Sequence, residues 1–382
     1  MMGQLGLNLT LQIGQTVPIP APPPLVEALQ DVEITHRDEG RSGFQITFRV
    51  GRSGAVDLLD YGLVASPLLR PFNRVILTVA LNVVPQVLMD GVITHHQLAP
   101  SSKPGASTLT VTGEDVSVMM DLREKSFEHP GQAEPLIVTQ LLTSYAAYGV
   151  VPEVTSPPAL DTPLPMERTP VYRGTDYGYV REMARRYGYV FYIAPGPAPG
   201  SSTAYWGPPR RAAVPQPALS VNLGADTNVD SIDFRYAALD PALVSGWVRD
   251  ARLGVTVPVE TVSSSRFPPL AGAPALAANL PHVRTRLLDA PAETPASALA
   301  RAQATTDTST DAVVTAQGEL HPLRYGSLLQ ARGVVGMRGA GHSHDGHYYV
   351  KSVTHSIRQG DYRQRFTLTR EGLRALSPVV RP

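Results

Sequence analysis

Apolar and polar residues alternate along the chain from Phe44 to Val50. A period of two residues is typical of a strand that buries one face against a core. We therefore predict a half-buried strand beginning at Gly43. Two more apolar segments, Val75–Val84 and Gln86–Met89, are also predicted to be strands.

The dipeptide Asp90-Gly91 follows the second of these segments and precedes Val92-Ile93-Thr94. Asp-Gly is preferred in type I′ turns, which connect the strands of tight hairpins. The sequence therefore predicts a hairpin in which Leu88 faces Ile93.

Another strand is predicted over Ser107–Thr112, ending at Gly113. Glu114 and Asp115 then precede an apolar run from Val116 to Leu122. Acidic side chains are favourable at the start of a helix because of its dipole, so we predict a short helix here.

The middle of the chain has helical spacing of apolar residues. Glu134–Tyr148 carries leucines and Ile137 on one face, and the proline-rich segment Ser156–Pro170 is predicted to be a loop. Asp176 is predicted to cap a helix that ends at Gly188, a residue suited to the left-handed conformation. The apolar stripe of this helix consists of Tyr179, Val180, Met183, Ala184 and Tyr187, and a strand over Tyr189–Ile193 follows it.

The C-terminal part again has a strand pattern with one helix. Strands are predicted over Val229–Tyr236, Val244–Val248 and Val255–Glu260, and a helix over Ala296–Thr305. The low-complexity segment Ala271–Asn279 is predicted to be a surface loop.

The clearest hairpin lies near the C-terminus, where Tyr349–Arg358 and Tyr362–Thr369 flank Gly360-Asp361. A Gly-first pair suits a type II′ turn. This register places Val353 opposite Leu368 and His355 opposite Phe366. It also places Arg358, Arg363 and Arg365 together on the other face, so that one face is apolar and one basic.

Composition narrows the functional classes. The 33 basic residues equal the 33 acidic residues, so no net charge draws the chain to nucleic acid or to an anionic membrane. The absence of cysteine excludes disulfides and thiolate metal sites.

The longest apolar stretch, Val75–Met89, is shorter than the roughly 20 residues of a membrane helix, and stable membrane insertion is not expected. The N-terminus lacks the pattern of a secretory signal.

Three segments, in order, resemble phage tail hub proteins of the late control protein D family and the hub part of type VI secretion spikes. They are Gly113–Asp121, Thr175–Tyr192, and Asp345–His355 with its Gly360 hairpin. A weaker match covers Leu239–Trp247. The family-signature positions are Glu114, Asp115, Asp176, Tyr179, Tyr187, Gly188, Asp345, Gly346, Tyr348, Tyr349, Val350, His355 and Phe366.

The resemblance implies a mainly β fold with an α/β insertion. It implies two tube-like β-barrel domains per chain, which form a pseudo-sixfold ring in a trimer. The expected divisions are a proline-rich N-terminal arm (1–30), a first barrel domain (31–128), an α/β insertion (129–228), a second barrel domain (229–375) and a C-terminal tail (376–382).

The function implied by the resemblance is structural. The chain would be a homotrimeric baseplate hub that binds a hexameric inner tube on one side and a trimeric spike on the other, in contact with other baseplate proteins. Since no spike-like repeat follows the hub signature before Pro382, a separate spike polypeptide is expected. The chain would be made in the cytoplasm and built into a phage tail or injection particle, becoming extracellular if the particle is released. No catalytic residue and no cofactor is implied.

The histidine-rich segment offers a chemical alternative, a metal-dependent cell-wall hydrolase. His342, His344, Asp345 and His347 could bind a transition metal, but their spacing matches no known metalloprotease pattern. Flanking glycines favour a polar turn instead.

The other candidate residues favour structural roles. His95 and His96 are adjacent in a strand and point to opposite faces, so they cannot easily share an ion. His355 is predicted to be packed rather than to act as a base. A carbohydrate-binding alternative would need exposed aromatics such as Tyr348 and Tyr349. The spacing of five further tyrosines favours core packing, namely Tyr177, Tyr179, Tyr187, Tyr189 and Tyr192.

Overall fold

A computed structural model describes residues 2–4, 7–15, 17–51, 61–81, 84–103, 105–158, 171–250, 253–289 and 294–376. Within these residues the helices are α1 (Pro23–Ala28), α2 (Glu134–Thr143), α3 (Asp176–Arg186), α4 (Ala275–Ala278), α5 (Pro295–Thr310) and α6 (Pro322–Tyr325). Short 3-10 helices lie at Pro67–Leu69, Val116–Asp121, Ala146–Tyr148 and Gly224–Asp226.

Strands dominate the described residues, as the sequence predicted. In the first half of the chain they are β1 (Met2–Gln4), β2 (Leu7–Gly14), β3 (Ile19–Pro20), β4 (Leu29–Arg37), β5 (Gly43–Val50), β6 (Arg74–Leu81), β7 (Val84–Ala99), β8 (Ser107–Asp115), β9 (Glu124–Glu128), β10 (Val150–Val154), β11 (Val171–Thr175) and β12 (Val190–Pro195). In the second half they are β13 (Ser202–Gly207), β14 (Gln216–Ser220), β15 (Val229–Tyr236), β16 (Ala242–Arg249), β17 (Thr256–Glu260), β18 (Ala273–Pro274), β19 (Arg284–Leu287), β20 (Val314–Leu320), β21 (Val334–Arg338), β22 (Gly346–Arg358), β23 (Asp361–Arg370) and β24 (Gly372–Leu373).

The same arrangement of five antiparallel strands occurs twice. In the first module, strands β4 to β8 lie in the order β6-β7-β8-β5-β4. In the second module, strands β15, β20, β21, β22 and β23 lie in the order β21-β22-β23-β20-β15. Counted along the chain within each module, both orders are third, fourth, fifth, second, first.

Local irregularities repeat at the same places in both modules. The first strand has a register shift between Leu29 and Asp31 in one module and between Val229 and Ser231 in the other. The fourth strand has a shift between Ile93 and His95 in one, and between Val350 and Ser352 in the other. Because bulges fix strand register and bend, their repetition aligns the first and fourth strands of the two modules residue by residue.

The two modules meet edge to edge. Residues Asp31–Arg37 of β4 pair with Ser352–Arg358 of β22, and we call this pairing the module junction. It joins both modules into one 14-stranded sheet, whose main path of paired strands begins at β1 and ends at β15. Along the described strands this path is open, so the chain is mainly β but the path does not close into a barrel.

Each region has its own apolar core. Alternating residues of β4, β5, β6 and β8, with Ile13 and Leu11 from β2, form the first core. Leu219, Val335, Tyr348 and Phe366 belong to the second core. Between the modules in sequence, α2, α3 and the small sheet β10-β13-β12 enclose a third core around Trp206, and we call the described residues from Glu134 to Arg211 the insertion. The strands of the three-stranded sheet β17-β16-β19, which packs on α5, come between β15 and β20 in sequence.

Two predictions for the first module are corrected. Asp90-Gly91 is not a hairpin turn, since β7 is one 16-residue strand that runs through it, and Leu81 pairs with Val84 at the real hairpin. The strand predicted to end at Gly113 continues to Asp115. Local turn propensity was outweighed here by buried contacts of Asp90, which is 2% exposed.

The C-terminal hairpin has its predicted faces but a different turn. Arg358 pairs with Asp361, so the two turn residues are Gln359 and Gly360. Because the turn lies one residue earlier than predicted, Val353 is opposite Phe366, and His355 is opposite Gln364 rather than Phe366. The difference in register is two residues, so the faces keep their identity: Val353, His355 and Phe366 are buried, while the three arginines are exposed.

Other predicted elements differ in detail. Part of the predicted N-terminal arm is strand β2, which pairs with β6 and buries Leu11 and Ile13. The predicted surface loop Ala271–Asn279 contains β18 and α4 and buries Ala271 and Leu276. The predicted loop Ser156–Pro170 lies outside the described residues from 159 onward, as does the tail from 377.

Candidate functional site

Side chains from both modules interlock at the module junction. The hydroxyls of Thr35 and Thr354 hydrogen-bond at 3.0 Å across it. On the opposite face, the His36 and His355 rings meet edge to face with centroids 5.4 Å apart. Nδ1 of His355 lies 2.7 Å from the hydroxyl of Tyr362, so His355 is packed and hydrogen-bonded, as predicted.

The buried junction histidines are poor proton acceptors. Burial lowers the pKa of His355 to about 3. Burial also lowers the pKa of His36 well below its usual value, and the neighbouring His355 and Arg332 lower it further. A general base works best with a pKa near the working pH, so these rings are unsuited to base catalysis.

Arg332 ties the junction to the central insertion. Its Nε donates to the carbonyl of Arg37 at 2.8 Å, and one terminal nitrogen donates to the hydroxyl of Ser42 at 2.7 Å. Its guanidinium also lies 4.0 Å above the ring of Tyr192, which belongs to β12 of the insertion. Arg332 is 7% exposed, so these contacts hold a charge that burial would otherwise destabilise.

A second buried ionic cluster joins the insertion to the second module. Arg211 donates to Glu371 and to Asp311, both at 2.8 Å. Arg266 forms a two-pronged pair with Asp311 and donates to the carbonyl of Gly188 at 2.8 Å. Paired and hydrogen-bonded buried charges of this kind fix relative position, because breaking one partner leaves the other uncompensated.

The first signature segment folds back on the Arg41 loop. Glu114 pairs with Arg41 at 2.9 Å. Asp115 is buried, and its two oxygens accept from the backbone N–H of Ser42 (2.6 Å) and Ser117 (3.0 Å). Asp115 thus caps the predicted short helix, which is a 3-10 helix. Burial raises the pKa of Asp115, and these hydrogen bonds oppose the shift.

The second signature segment is α3, but Asp176 is not its cap. Thr175 is the N-cap, and its hydroxyl accepts from the N–H of Gly178. Asp176 is instead buried and binds both Lys125 and the hydroxyl of Tyr145 at 2.6 Å. Gly188 has φ of +62°, which confirms the left-handed helix end.

The tyrosines of this segment are core residues, as predicted. Tyr179 stacks on Tyr172 with centroids 4.1 Å apart, and Tyr187 packs against Trp206. Tyr177 and Tyr192 are also buried, and Tyr189 packs edge to face on Trp206.

The third signature segment begins in a turn. The N–H groups of His344 and Asp345 both donate to the carbonyl of Gly341, and the Asp345 carboxylate accepts from Ala340 N–H at 2.8 Å. His342 is exposed, and His344 packs on Phe234 with ring centroids 4.6 Å apart. Among the described residues, no three His, Asp or Glu side chains are placed to hold one ion.

The residues after this turn enter the second core. Gly346 has φ of +115°, and Tyr348, Tyr349 and Val350 are buried. The hydroxyl of Tyr348 donates to the carbonyl of His344 at 2.8 Å. Burial of Tyr348 and Tyr349 overturns the exposed aromatic platform that the carbohydrate-binding alternative required.

Arg370 stabilises the same turn through its guanidinium group. Its guanidinium donates to the backbone carbonyls of Asp345 and Ser343, at 2.9 and 2.6 Å, and lies 4.3 Å above the ring of Tyr348. Sequence reasoning missed Arg370, Arg332 and Arg211, because the partners that allow each arginine to be buried are remote in the chain.

The signature residues do not converge on one cleft. Asp176, Tyr179 and Tyr187 line the insertion core, whereas Tyr348 and Phe366 line the second core. His95 and His96 are exposed near the end of β7. The signature residues therefore pack the cores and hold neighbouring elements in position.

Comparisons with known proteins agree on the fold. No family model and no curated protein matches the sequence. A tail protein from Neisseria meningitidis MC58 superposes with a TM-score of 0.63 at 12% identity, covering 97% of this chain and 98% of its own. This chain has the fold of phage tail proteins.

Two more solved structures share this tail-protein fold. The 43 kDa tail protein of prophage MuSo2 from Shewanella oneidensis has a TM-score of 0.62 at 12% identity, covering 96% of this chain and 98% of its own. The E. coli c3393 protein, described as a type VI secretion component similar to bacteriophage T4 tail proteins gp27 and gp5, has a TM-score of 0.56 at 13% identity, covering 93% and 78%. In the described part of the tail-protein fold, no helix combines the length and apolarity needed to cross a bilayer.

Proposed function

We propose that this chain is a non-enzymatic structural component of a phage tail or contractile injection machine, and that it is the trimeric hub joining the inner tube to the central spike. The tail-protein fold over nearly the whole chain supports the general role. The repeated five-strand module supports the specific one.

The repeated module carries the adaptor proposal. A hexameric tube cannot make equal contacts with a threefold spike unless something between them offers six similar surfaces in a threefold assembly. One chain has two modules of the same strand order, joined at the module junction. Three chains would offer six tube-like modules, and the spike would be a separate trimeric protein.

The buried ionic contacts suit a mechanical role. Arg332 and Arg211 each bridge the insertion and the strand modules through hydrogen bonds in the interior. Such contacts resist displacement of one unit against another, as a hub must during contraction. The chain would work inside a baseplate, with tube, spike and further baseplate proteins as partners, first in the cytoplasm and outside the cell after particle release.

Mass measurement tests this proposal directly. Light scattering of the purified chain, alone and mixed with candidate tube and spike proteins, should give three times the 41.0 kDa chain mass and a complex with each partner. A stable monomer that binds neither partner would overturn the hub. A metal and peptidoglycan digestion assay on the same sample should show neither stoichiometric zinc nor hydrolysis.

A further inference from the structure

Two of the unpaired strand edges in the described residues belong to the two modules and lie at corresponding places. The outer edge of β15 has no partner strand, because β15 is the last strand of the sheet path. The segment His95–Ala99 of β7 pairs with β8 on one side, but the β6 pairing stops at Val92. An unpaired edge presents a row of N–H and C=O groups ready to pair with another strand.

These two edges are equivalent to the two edges that meet at the module junction. β15 is the first strand of its module, as β4 is of the other. The repeated bulges align the fourth strands, so that Ile93 corresponds to Val350 and His95 to Ser352. The segment His95–Ala99 therefore corresponds to Ser352–Ser356, the part of β22 that pairs with β4.

The uncovered side chains on these edges are partly apolar. Leu98 packs on the first core and Phe234 on the second, and each is only partly buried. Tyr236 is equivalent to His36 of the first module. His36 is buried at the module junction, whereas Tyr236 is 37% exposed. Covering such a face with a matching strand would extend both cores across the new junction.

We propose that β15 of one chain pairs antiparallel with His95–Ala99 of β7 in a second copy of this chain, repeating the module junction between chains. This inference rests on the proposed trimeric hub and adds the strands and the register of its contact. At the module junction Val353 lies opposite His36, and His355 lies opposite Ile34. Replacing each residue by its equivalent in the other module places His96 opposite Tyr236 and Leu98 opposite Phe234. Pro100, which has no N–H to donate, would end the pairing.

The contact is head to tail, since β7 of each chain meets β15 of the next. Head-to-tail contacts give a closed ring when the rotation between copies closes, and an open filament otherwise. With three chains, junctions within and between chains alternate around a ring of six modules.

A disulfide between engineered cysteines tests this register, and the chain has no native cysteine. The observed pair Thr35–Thr354 is the best template. Asp38 N–H donates to the Lys351 carbonyl, so Asp38 and Lys351 form a hydrogen-bonded pair. Hydrogen-bonded and non-hydrogen-bonded pairs alternate along antiparallel strands, so Thr35 and Thr354 form a non-hydrogen-bonded pair, with Cα atoms about 4.5 Å apart. A disulfide needs Cα atoms about 4.4–6.8 Å apart. The corresponding interchain pair is Gln97 with Arg235.

The double variant Gln97→Cys with Arg235→Cys should, after mild oxidation, migrate mostly as a covalent trimer on a non-reducing gel. Thr35→Cys with Thr354→Cys is the positive control, and its disulfide should stay within one chain. Gln97→Cys with Ser231→Cys is the matched negative control, because Ser231 lies on the same strand face four residues away.

The outcomes separate this inference from the proposed hub. A trimer by light scattering that fails to cross-link at Gln97 and Arg235, while the positive control does, overturns the edge pairing and leaves the hub standing. Equal cross-linking of the negative control overturns the register. A ladder extending past three chains contradicts ring closure, and a monomer contradicts both proposals.

Discussion

Phe72 and Arg332 have the same unusual backbone at the same place in the two modules. Their φ angles are +67° and +70°, and the N–H groups donate to the carbonyls of Ile93 and Val350, which are equivalent positions. The side chains differ in use, since Phe72 is 57% exposed and Arg332 is buried among polar partners. The module repeats its backbone geometry while the side chains serve different contacts.

Glycine substitution separates the backbone from the side chain at this position. In Phe72→Gly, relief of the left-handed strain (about 1–2 kcal/mol) is offset by the greater freedom of glycine in the unfolded state, about 0.5–1 kcal/mol. We expect its unfolding free energy to stay within about 1 kcal/mol of the native protein. Arg332→Gly leaves buried acceptors unpaired and should lose about 3 kcal/mol or more. Urea unfolding of both variants measures this; equal losses would show that Arg332 has no special role.

Gly188 has two reasons to be glycine, and they can be measured separately. Its φ of +62° disfavours other residues, and an added Cβ would lie 3.2 Å from Cα of Ala304 in α5. Gly40 has φ of +83° with open space around it, so Gly40→Ala measures the backbone cost alone. We expect a loss of about 1 kcal/mol for Gly40→Ala and about 2–4 kcal/mol for Gly188→Ala. Equal losses would mean that α3 and α5 adjust freely.

His355 should make stability depend on pH. Its folded pKa of about 3 lies below the unfolded value near 6.5, so the unfolded state binds the proton first as pH falls. The stability that neutral His355 contributes is therefore full above about pH 6.5 and is lost progressively toward pH 3.

The variant His355→Leu isolates this effect, because Leu98 occupies the equivalent position in the first module. The native protein should lose about 1.4 kcal/mol per pH unit relative to the variant between about pH 6 and pH 4. The raised pKa of Asp38, about 6 because of burial, acts in the opposite direction but is common to both proteins. Parallel stability curves for the two proteins would contradict the burial of a neutral His355.

Periodicity predicted most strands and the tyrosine packing from sequence, because a buried face leaves a regular apolar pattern. The strand Val229–Tyr236 has the predicted bounds, and Phe44, Ile46 and Phe48 are buried as expected. The register of the C-terminal hairpin was predicted two residues off, because the turn lies at Gln359-Gly360 and not at the Gly360-Asp361 pair that the turn propensities favoured. The burial of Arg332 was equally hidden, because it depends on partners such as Arg37 that are remote in sequence.

Asp90 shows how a tertiary contact overrides a turn motif. Its carboxylate binds Arg74 through both oxygens, at 2.6 and 2.9 Å, and accepts from the N–H of Gly200 at 3.1 Å. Arg74 also donates to the carbonyl of Tyr148, so this pair fastens the first module to the insertion. An added Cβ at Gly91 would lie 2.4 Å from the Glu114 carbonyl, so glycine there serves strand packing and not a turn.

Asparagine substitution distinguishes the motif from the contact. Asn-Gly is at least as favourable as Asp-Gly in a type I′ turn, so Asp90→Asn would be neutral or stabilising if residues 90 and 91 formed a turn. Within β7 it removes one charge of a buried pair, and we expect a loss of about 2–4 kcal/mol in urea unfolding. Gln359→Asn places the same dipeptide at the real turn, beside Gly360 with φ of +83°, and should change stability by less than about 1 kcal/mol. Reversed effects of the two variants would place the turn at Asp90 and contradict the 16-residue strand.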